Sequence, residues 1–423
     1  MSIFRFLSST NRSVASQSLA SLLNIVITFF VSIFVARYIG PTFLGLISYV
    51  GALSAILDPI SSLGIRRAYP FLLCQDYQEK NLLETAFCID LLTSLLFCFL
   101  LSIFAFYSNN LNISILIFFS IVTNFFNSTQ LFDSYLLSKG QGSKIALYTL
   151  ILAGVNLVLT FLFLFIKVKP ILFGLVPLIQ AIFLAIFLYT CTFKKSLPRV
   201  LASFSYKVFT KLMTVGIPLM FVGFANLVCI KSDQLMLAWL KGPESVGYYS
   251  VSARIVESVY FIPTILVNTY LPQLKISASG SEIMDSIKKL YRLTWIFGVC
   301  SFIAFTFFVP PLVTIFYGFE FAVSSNLLVI LAPSAFVVSC GLASGAWLTS
   351  KGFLKEQSIR SVFSAILNVS LNLLLIPHYG VYGAAVSTSI SYSIGLFVPG
   401  LLKTSTRDNY LFLLFPFRTP NFS

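Results

Sequence analysis

Ionisable side chains interrupt two neighbouring apolar stretches in the second half of this sequence. Lys231 and Asp233 lie in the first stretch, and Arg254 and Glu257 lie in the next one. In an antiparallel helical hairpin that turns at Pro243–Glu244, Asp233 and Arg254 are equally distant from the turn, each about 15 Å along its helix. The other two charges lie slightly deeper, and Arg254 and Glu257 share a helix face because they are three residues apart. The spacing therefore predicts a cluster of four charges.

A four-charge cluster of this kind has two interpretations. In the first, ion pairs hold the two helices together, since pairing is how a membrane interior accommodates charge. In the second, the site switches between two states. The cations Lys231 and Arg254 bind an anionic group of a substrate in one state, and the carboxylates of Asp233 and Glu257 hold those cations in the other.

Five further charged residues lie in or beside apolar stretches of the first half. Arg66 and Arg67 follow the second stretch, where they either anchor the chain at the membrane edge or capture a phosphate group at the mouth of a cavity. Arg37 lies at the outer end of the first stretch, where an arginine side chain normally extends towards the water outside the bilayer. We include Arg37 among the candidate substrate contacts. Asp58 and Asp90 are candidates for coupling to H+ or Na+, or for pairing with a neighbouring cation.

The composition excludes a soluble protein. Hydrophobic residues make up 57% of the 423 and charged residues 10%, whereas a soluble domain carries about a quarter charged residues. The seven cysteines have no zinc-binding spacing, and the segment 139–144 (KGQGSK) has neither the length nor the context of a phosphate-binding loop. We find no paired nucleophile and base. The sequence therefore predicts no catalytic residue, no metal site and no resident cofactor, and the chain is not predicted to be an enzyme.

Twelve apolar stretches are each long enough to cross a bilayer core of about 30 Å, so the predicted fold class is all-α integral membrane. Of the 26 Lys and Arg residues near the ends of these stretches or between them, 22 lie on the side of the N-terminus and four on the other. The positive-inside rule then places both termini in the cytoplasm, and it explains the net charge of +14 without a nucleic-acid partner. The predicted spans are approximately 14–36, 44–64, 82–106, 112–137, 145–166, 171–193, 212–240, 246–272, 293–317, 325–349, 357–377 and 380–402.

The two halves of the chain share two motifs. The motif Gly-Pro-x-x-x-Gly at 40–45 recurs at 242–247, and Ser-Lys-Gly at 138–140 recurs at 350–352. Repeats with an even number of spans have the same orientation, so we expect two parallel six-helix bundles around a central cavity, as in a transporter that works by alternating access. The apolar segment 410–417 is too short to cross and is expected at the membrane interface. The predicted domains are an N-terminal lobe 1–193, a cytoplasmic linker 194–211, a C-terminal lobe 212–402 and a cytoplasmic tail 403–423.

Three segments carry a family resemblance: VARYIGPTFLGLISYV (35–50), DPISSLGIRRA (58–68) and KSDQLMLAWLKGPESVGYYSVSARIVESVYFIP (231–263). They resemble the polysaccharide-export flippases, the Wzx-type or O-antigen-flippase branch of the multidrug/oligosaccharidyl-lipid/polysaccharide exporter superfamily. The resemblance implies that the substrate is an undecaprenyl-diphosphate-linked oligosaccharide repeat unit, moved from the cytoplasmic to the periplasmic leaflet. It also implies membrane lipid, a polysaccharide polymerase and a chain-length regulator as partners.

The related lipid II flippases carry two motifs that are similar to segments of this chain. Their Arg-Arg pair resembles Arg66-Arg67, and their Arg-x-x-Glu resembles Arg254-x-x-Glu257, which implies roles in diphosphate handling and gating. They carry a basic residue where this chain has Val31, a difference that argues against lipid II itself. The alternative is a cation-coupled drug or small-solute antiporter of the same superfamily, which typically holds an acid in the first span; the span 14–36 has none.

Overall fold

The computed structural model describes residues 2–74, 81–106, 110–192, 204–276 and 280–417, and these residues form helices and the turns between them. Apolar segments adopt helices in a bilayer because each backbone N–H and C=O must find its partner within the chain. The helices are α1 (Ser2–Ser61), α2 (Ile65–Cys74), α3 (Leu82–Phe106), α4 (Leu111–Asn127), α5 (Leu131–Ser138), α6 (Gly142–Ile166), α7 (Leu175–Thr192), α8 (Tyr206–Lys241), α9 (Pro243–Val259), α10 (Phe261–Ile276), α11 (Gly280–Ile303), α12 (Val309–Tyr317), α13 (Ala322–Ser350), α14 (Leu354–Leu402) and α15 (Thr404–Leu414).

Ten helical segments of the described chain are long and apolar enough to cross a membrane. Two of them, Leu19–Ser61 with 43 residues and Lys355–Leu402 with 48, are about twice the length that one crossing needs. Each is broken by a glycine with non-helical backbone angles, Gly40 in α1 and Gly380 in α14. Division at these glycines gives twelve segments over the described residues. The predicted all-helical, multi-span fold is therefore confirmed, and the chain is a multi-pass integral membrane protein.

The repeated motifs adopt the same backbone conformations in both halves. Gly40 and Gly242 have φ values of +73° and +87°, in the left-handed region that favours glycine. A proline follows each of them and begins the next helical segment, where its fixed φ is already suitable and its missing N–H is not needed. Gly140 and Gly352, which end the two Ser-Lys-Gly motifs, likewise have φ values of +70° and +79°. The internal repeat in the sequence is thus also a repeat of local structure.

The two Gly-Pro motifs also approach each other closely. A Cβ atom added to Gly45 would lie 1.7 Å from the carbonyl oxygen of Pro243, and one added to Gly247 would lie 2.0 Å from that of Pro41. Each contact is the counterpart of the other in the opposite repeat. Glycine is required at 45 and 247 because any side chain there would overlap the facing backbone.

The contacts between residues divide the chain into two compact units. The first contains residues 1–39 and 50–224, and the second contains 40–49 and 225–423. The division therefore falls inside α8 and not in the predicted linker 194–211, of which 194–203 lie outside the described residues. A buried cluster forms the core of the first unit and brings together α2, α3, α5, α6, α7 and α8; its fully buried members include Tyr69, Phe132, Leu131, Leu136 and Leu188.

Helix α13 lies at the centre of the second unit, since 61% of the residues in its most apolar stretch are buried. Helix α15 packs into the same core: Tyr410, Phe412 and Leu413 are almost fully buried, in a cluster with residues of α11, α13 and α14. This packing does not test depth in the bilayer, so the interfacial position of 410–417 stays a prediction. The phenol OH of Tyr291 donates a hydrogen bond to Asn409, and Arg292 Nε donates one to the carbonyl of Pro416 at 3.0 Å, so the segment after α14 belongs to the folded unit.

Candidate functional site

One ion pair of the predicted charge cluster is present in the second unit. Lys231 extends from α8, and its Nζ lies 3.2 Å from Oε1 and 3.4 Å from Oε2 of Glu257 on α9. The two side chains are 22% and 39% exposed, so neither is sealed from its surroundings. The pair joins adjacent antiparallel helices at matching depth, as their equal spacing from the turn predicts.

Asp233 has different partners from Lys231. It is fully buried and accepts hydrogen bonds from three neutral groups: the OH of Tyr249 at 2.5 Å, the OH of Thr388 at 2.7 Å, and the side-chain amide of Asn372. Two residues along a helix correspond to a rotation of about 200°, which directs Asp233 and Lys231 to opposite sides of α8. The prediction of a single four-charge cluster is therefore wrong for Asp233.

Arg254 is also separate from the ion pair. It is exposed on α9, and among the described residues no carboxylate lies within 4 Å of its guanidinium. Glu257, three residues further along the same helix, is engaged by Lys231 instead. The structure thus brings together two of the four predicted residues and leaves the other two outside the pair.

The Lys231–Glu257 pair lines a cavity of about 760 Å³ in the second unit. Helices α8, α9, α10, α13 and α14 supply its walls, and its volume falls in the range of small-molecule sites. Most of the lining is apolar, with amide, hydroxyl and phenol groups between the apolar side chains. The charged and polar residues of the lining include Lys231, Glu257, Arg360, Asn226, Gln357, Thr349, Tyr249, Tyr260 and Tyr392.

The surroundings of Asp233 suit a small cation or a proton. Among the described residues no cationic side chain lies within ion-pair distance of this buried carboxylate. Asn372, which donates to Asp233, has a buried Oδ1 without a hydrogen-bond partner in the described structure. No group of three His, Cys, Asp or Glu among the described residues could hold a metal ion. Carboxylate, amide and hydroxyl oxygens are instead the ligands that hard cations prefer.

Arg66 forms the main charged contact of the first unit. Its Nη1 lies 2.5 Å from Asp58 Oδ1, and its Nε lies 3.0 Å from Asp90 Oδ2. Nη2 makes longer contacts with Ser94 Oγ and Asn124 Oδ1, both at 3.4 Å. The Asp90 side chain is fully buried, whereas that of Asp58 is 41% exposed. Of the two interpretations of Asp58 and Asp90, pairing with a neighbouring cation describes the geometry.

The remaining predicted cations, Arg37 and Arg67, are exposed in the first unit. The guanidinium of Arg67 covers the backbone of Gly223, where an added Cβ would lie 2.0 Å from Nη1. Their exposure leaves Arg37 and Arg67 open to a ligand, whereas Arg66 is held by Asp58 and Asp90.

Sequence reasoning missed two residues of the second unit. Asn372 was not recognised, although it follows Asn368 by one helical turn and both are fully buried; two asparagines at this spacing in an apolar span are the available signal. Arg360 was counted only as a charge near the membrane edge, yet it lines the cavity.

Comparisons with known proteins identify relatives in sequence and in structure. The sequence profile described as "Polysaccharide biosynthesis protein" matches residues 11–273, more than half of the chain. Over 152 residues the chain is 26% identical to the "Probable low-salt glycan biosynthesis flippase Agl15" of Haloferax volcanii, an alignment that covers 35% of this chain and 32% of that protein. The chain covers less than half the length of this and other relatives that it matches in sequence.

Two solved structures share the fold. The lipid II flippase MurJ in an inward closed conformation superposes with a TM-score of 0.72 at 14% identity, covering 94% of this chain and 89% of MurJ. An outward-facing multidrug resistance MATE transporter of the MOP superfamily gives 0.65 at 12% identity, covering 96% and 97% of the two chains. At these identities the likeness shows that the chain shares their all-helical fold.

Proposed function

Because the chain belongs to the polysaccharide biosynthesis protein family, we propose that it is a flippase for a lipid-linked glycan. The proposed substrate is an undecaprenyl-diphosphate-linked oligosaccharide repeat unit of O-antigen or a related surface polysaccharide. It moves from the cytoplasmic to the periplasmic leaflet by alternating access. The sequence similarity to a flippase of glycan biosynthesis supports the glycan over the drug or small-solute alternative, whereas the fold is common to flippases and multidrug transporters.

The observation that carries this proposal is the cavity in the second unit, whose mostly apolar lining includes the cations Lys231 and Arg360. A diphosphate cannot enter hydrocarbon without its hydration, because an unpaired charge at bilayer depth costs several kcal/mol. Lys231 and Arg360 lower that cost for an anion inside the cavity, and its phenol and amide groups suit the hydroxyl groups and ring faces of sugars. The polyprenyl chain remains in the lipid throughout.

We propose that the diphosphate competes with Glu257 for Lys231. Both side chains are partly exposed, so an incoming anion can replace the carboxylate without first opening a sealed site. When the anion leaves, Glu257 binds Lys231 again and resets the cavity. The exposed cations Arg37, Arg67 and Arg254 are proposed as earlier contacts for the diphosphate; Arg66 takes part only if it is released from Asp58 and Asp90.

Asp233 is the proposed site of the coupling ion, H+ or Na+. It lies two residues from Lys231 on the same helix and is held by neutral donors from α9 and α14. Loss or gain of one positive charge at this carboxylate changes the electrostatics of α8 beside the anion site. For Asp58 and Asp90 we propose the other role, an ion pair that holds Arg66 between them.

The proposed location is the cytoplasmic membrane of a bacterium, with both termini in the cytoplasm. The excess of Lys and Arg on one side of the membrane supports this orientation. A polysaccharide polymerase and a chain-length regulator are the proposed partners, since they act on the repeat units after translocation.

Gene deletion in the host tests the proposed function. Surface polysaccharide and lipid-linked repeat units are measured in the same cells. We expect the polysaccharide to be lost and the lipid-linked precursor to accumulate, with both effects reversed by re-expression. Unchanged polysaccharide without precursor accumulation would contradict the flippase and support the antiporter, for which drug and cation fluxes are the next measurement.

A further inference from the structure

Arg360 differs from the other cation of the cavity. Lys231 is paired with Glu257, but among the described residues no carboxylate lies within 4 Å of the Arg360 guanidinium. Its contacts are with neutral oxygens at the outer limit of hydrogen-bond distance: Nη1 lies 3.5 Å from the OH of Tyr410 and Nη2 lies 3.5 Å from the carbonyl of Gly341. The guanidinium therefore keeps most of its capacity to donate hydrogen bonds.

The nearest carboxylate on the same helix has another partner. Glu356 lies one helical turn before Arg360 in α14, a spacing at which Glu and Arg normally interact. Its carboxylate instead binds Nζ of Lys403. The positive charge of Arg360 is thus left for a ligand of the cavity.

A second donor converges on the same space. The side-chain oxygen of Gln357 accepts a hydrogen bond from the OH of Thr349 at 3.1 Å, so its NH2 group is free to face the other way. A Cβ added to Gly345 would lie 3.5 Å from Nε2 of Gln357 and 3.6 Å from Nη2 of Arg360. Because Gly345 has no side chain, both donors face open space at the wall of the cavity.

This arrangement matches the needs of a phosphate group. A planar guanidinium binds two oxygens of one phosphate at once, and a neighbouring amide N–H can reach another. Tyr410 stabilises the position of Arg360, since the phenol ring is buried against Gly400 in the core of the unit. A binding group on a helix that is supported by a packed core is held more accurately than one on a loop.

We propose that Arg360 and Gln357 form a diphosphate-binding subsite in the cavity of the second unit. This inference rests on the proposed function, because it assigns the diphosphate of the lipid-linked glycan to this end of the cavity. The Lys231–Glu257 pair then acts as a second contact along the path of the diphosphate, not as its only site. The two cations differ in kind: Lys231 must exchange a carboxylate for the ligand, whereas Arg360 is already unpaired.

Equilibrium binding to the purified full-length protein tests the subsite. The probe is radiolabelled farnesyl diphosphate, and farnesol reports on the lipid chain alone. We expect Arg360→Gln to weaken farnesyl diphosphate binding about tenfold or more, the effect of a lost charge-assisted contact, with farnesol binding unchanged. Arg360→Lys keeps the charge but loses the planar fork, so its affinity should be intermediate.

Lys355→Gln is the matched control. It removes one positive charge from the first turn of the same helix, but Lys355 is exposed and does not line the cavity. Its binding should stay within about twofold of the wild type, since an exposed charge is screened by solvent. Thermal unfolding of each variant shows whether it remains folded.

Three outcomes would overturn the subsite. They are an absence of farnesyl diphosphate binding by the wild type, equal binding by the wild type and Arg360→Gln, and displacement of the probe by an equal concentration of a short-chain phosphatidylglycerol. The last outcome would assign the site to a phospholipid headgroup. Failure of the subsite is distinguishable from failure of the proposed function, because the gene deletion reports on export whether or not Arg360 binds the probe.

Discussion

The buried carboxylates Asp90 and Asp233, one in each compact unit, have opposite kinds of partner. In the first unit, Arg66 lies between Asp58 and Asp90, so both carboxylates contact the same cation. In the second unit, the partners of Asp233 among the described residues are neutral, and none of those residues places a carboxylate within 4 Å of Arg360, while Lys231 and Glu257 form a pair that is partly exposed. Charges that are paired and buried hold helices together, whereas charges with neutral or exposed surroundings remain available to ions and ligands.

The largest expected effect comes from breaking the contact of the first unit. Arg66→Met leaves the fully buried Asp90 without its cation, and removal of one partner of a buried pair costs about 3–5 kcal/mol. We expect little folded protein in the membrane, measured by fluorescence-detected size-exclusion chromatography and thermal unfolding. The double variant Arg66→Met/Asp90→Asn should recover most of the loss. A wild-type unfolding temperature for Arg66→Met alone would show that the contact is not structural.

Asp233→Asn should have a large effect on export and a small one on folding. The asparagine occupies the same space and keeps an acceptor for Tyr249 or Thr388, but it cannot carry the negative charge that attracts a coupling ion. We expect export of surface polysaccharide to fall about tenfold or more, with normal amounts of protein in the membrane. Normal export would remove Asp233 from the proposed mechanism.

The coupling ion is identified by its effect on the stability of the purified protein. If Na+ binds the folded protein at Asp233, it raises the unfolding temperature relative to choline at equal ionic strength, and Asp233→Asn abolishes the shift. If H+ is the ion, lowering the pH raises the unfolding temperature of the wild type instead, and Asp233→Asn abolishes that shift. A wild-type unfolding temperature that responds to neither ion would contradict the assignment.

Glu257→Gln should reduce export several-fold without loss of folding. The Lys231–Glu257 pair is partly exposed, so it contributes about 1 kcal/mol or less to stability. Without the carboxylate, Lys231 holds the anion longer, and we expect farnesyl diphosphate to bind more tightly while export slows. Export at the wild-type rate together with unchanged binding would indicate that Glu257 does not compete with the ligand.

The smallest effect is expected for Asp58→Asn. The Asp58 carboxylate is 41% exposed and Asp90 still neutralises Arg66 in the variant. We expect a loss of stability below about 1 kcal/mol and export within about twofold of the wild type. A complete loss of export in a folded protein would identify Asp58 as an ion site and would remove the contrast between the two units.

The fold follows from the sequence because its signals are local. Apolar length sets the spans, and Gly-Pro steps mark the turns at Gly40 and Gly242. The segments that resemble the polysaccharide-export flippases predict the family that the profile match supports. The pairing of Lys231 with Glu257 also follows from local spacing, since equal distance from a hairpin turn places two side chains at one depth.

The rest of the site depends on features that the linear sequence does not contain. Two residues at the same depth in the membrane can lie on different sides of their helices. For this reason Asp233 on α8 and Arg254 on α9 lie apart from the Lys231–Glu257 pair. The contact of Arg66 with Asp58 and Asp90 joins residues of separate helices. Arg360 lines the cavity because of its place on α14, whereas its sequence position indicated only a charge near the membrane edge.

Reconstitution into proteoliposomes shows directly whether this protein moves a lipid-linked glycan between leaflets. The probe is a short-chain polyprenyl-diphosphate-linked oligosaccharide, and its transfer between leaflets is measured by its accessibility to an external glycosidase. We expect the wild type to expose probe from the inner leaflet, and Asp233→Asn, folded and equally abundant, to do so at about a tenth of that rate or less. A wild type that leaves the inner-leaflet probe as protected as in protein-free liposomes would contradict the claim that this protein is a flippase.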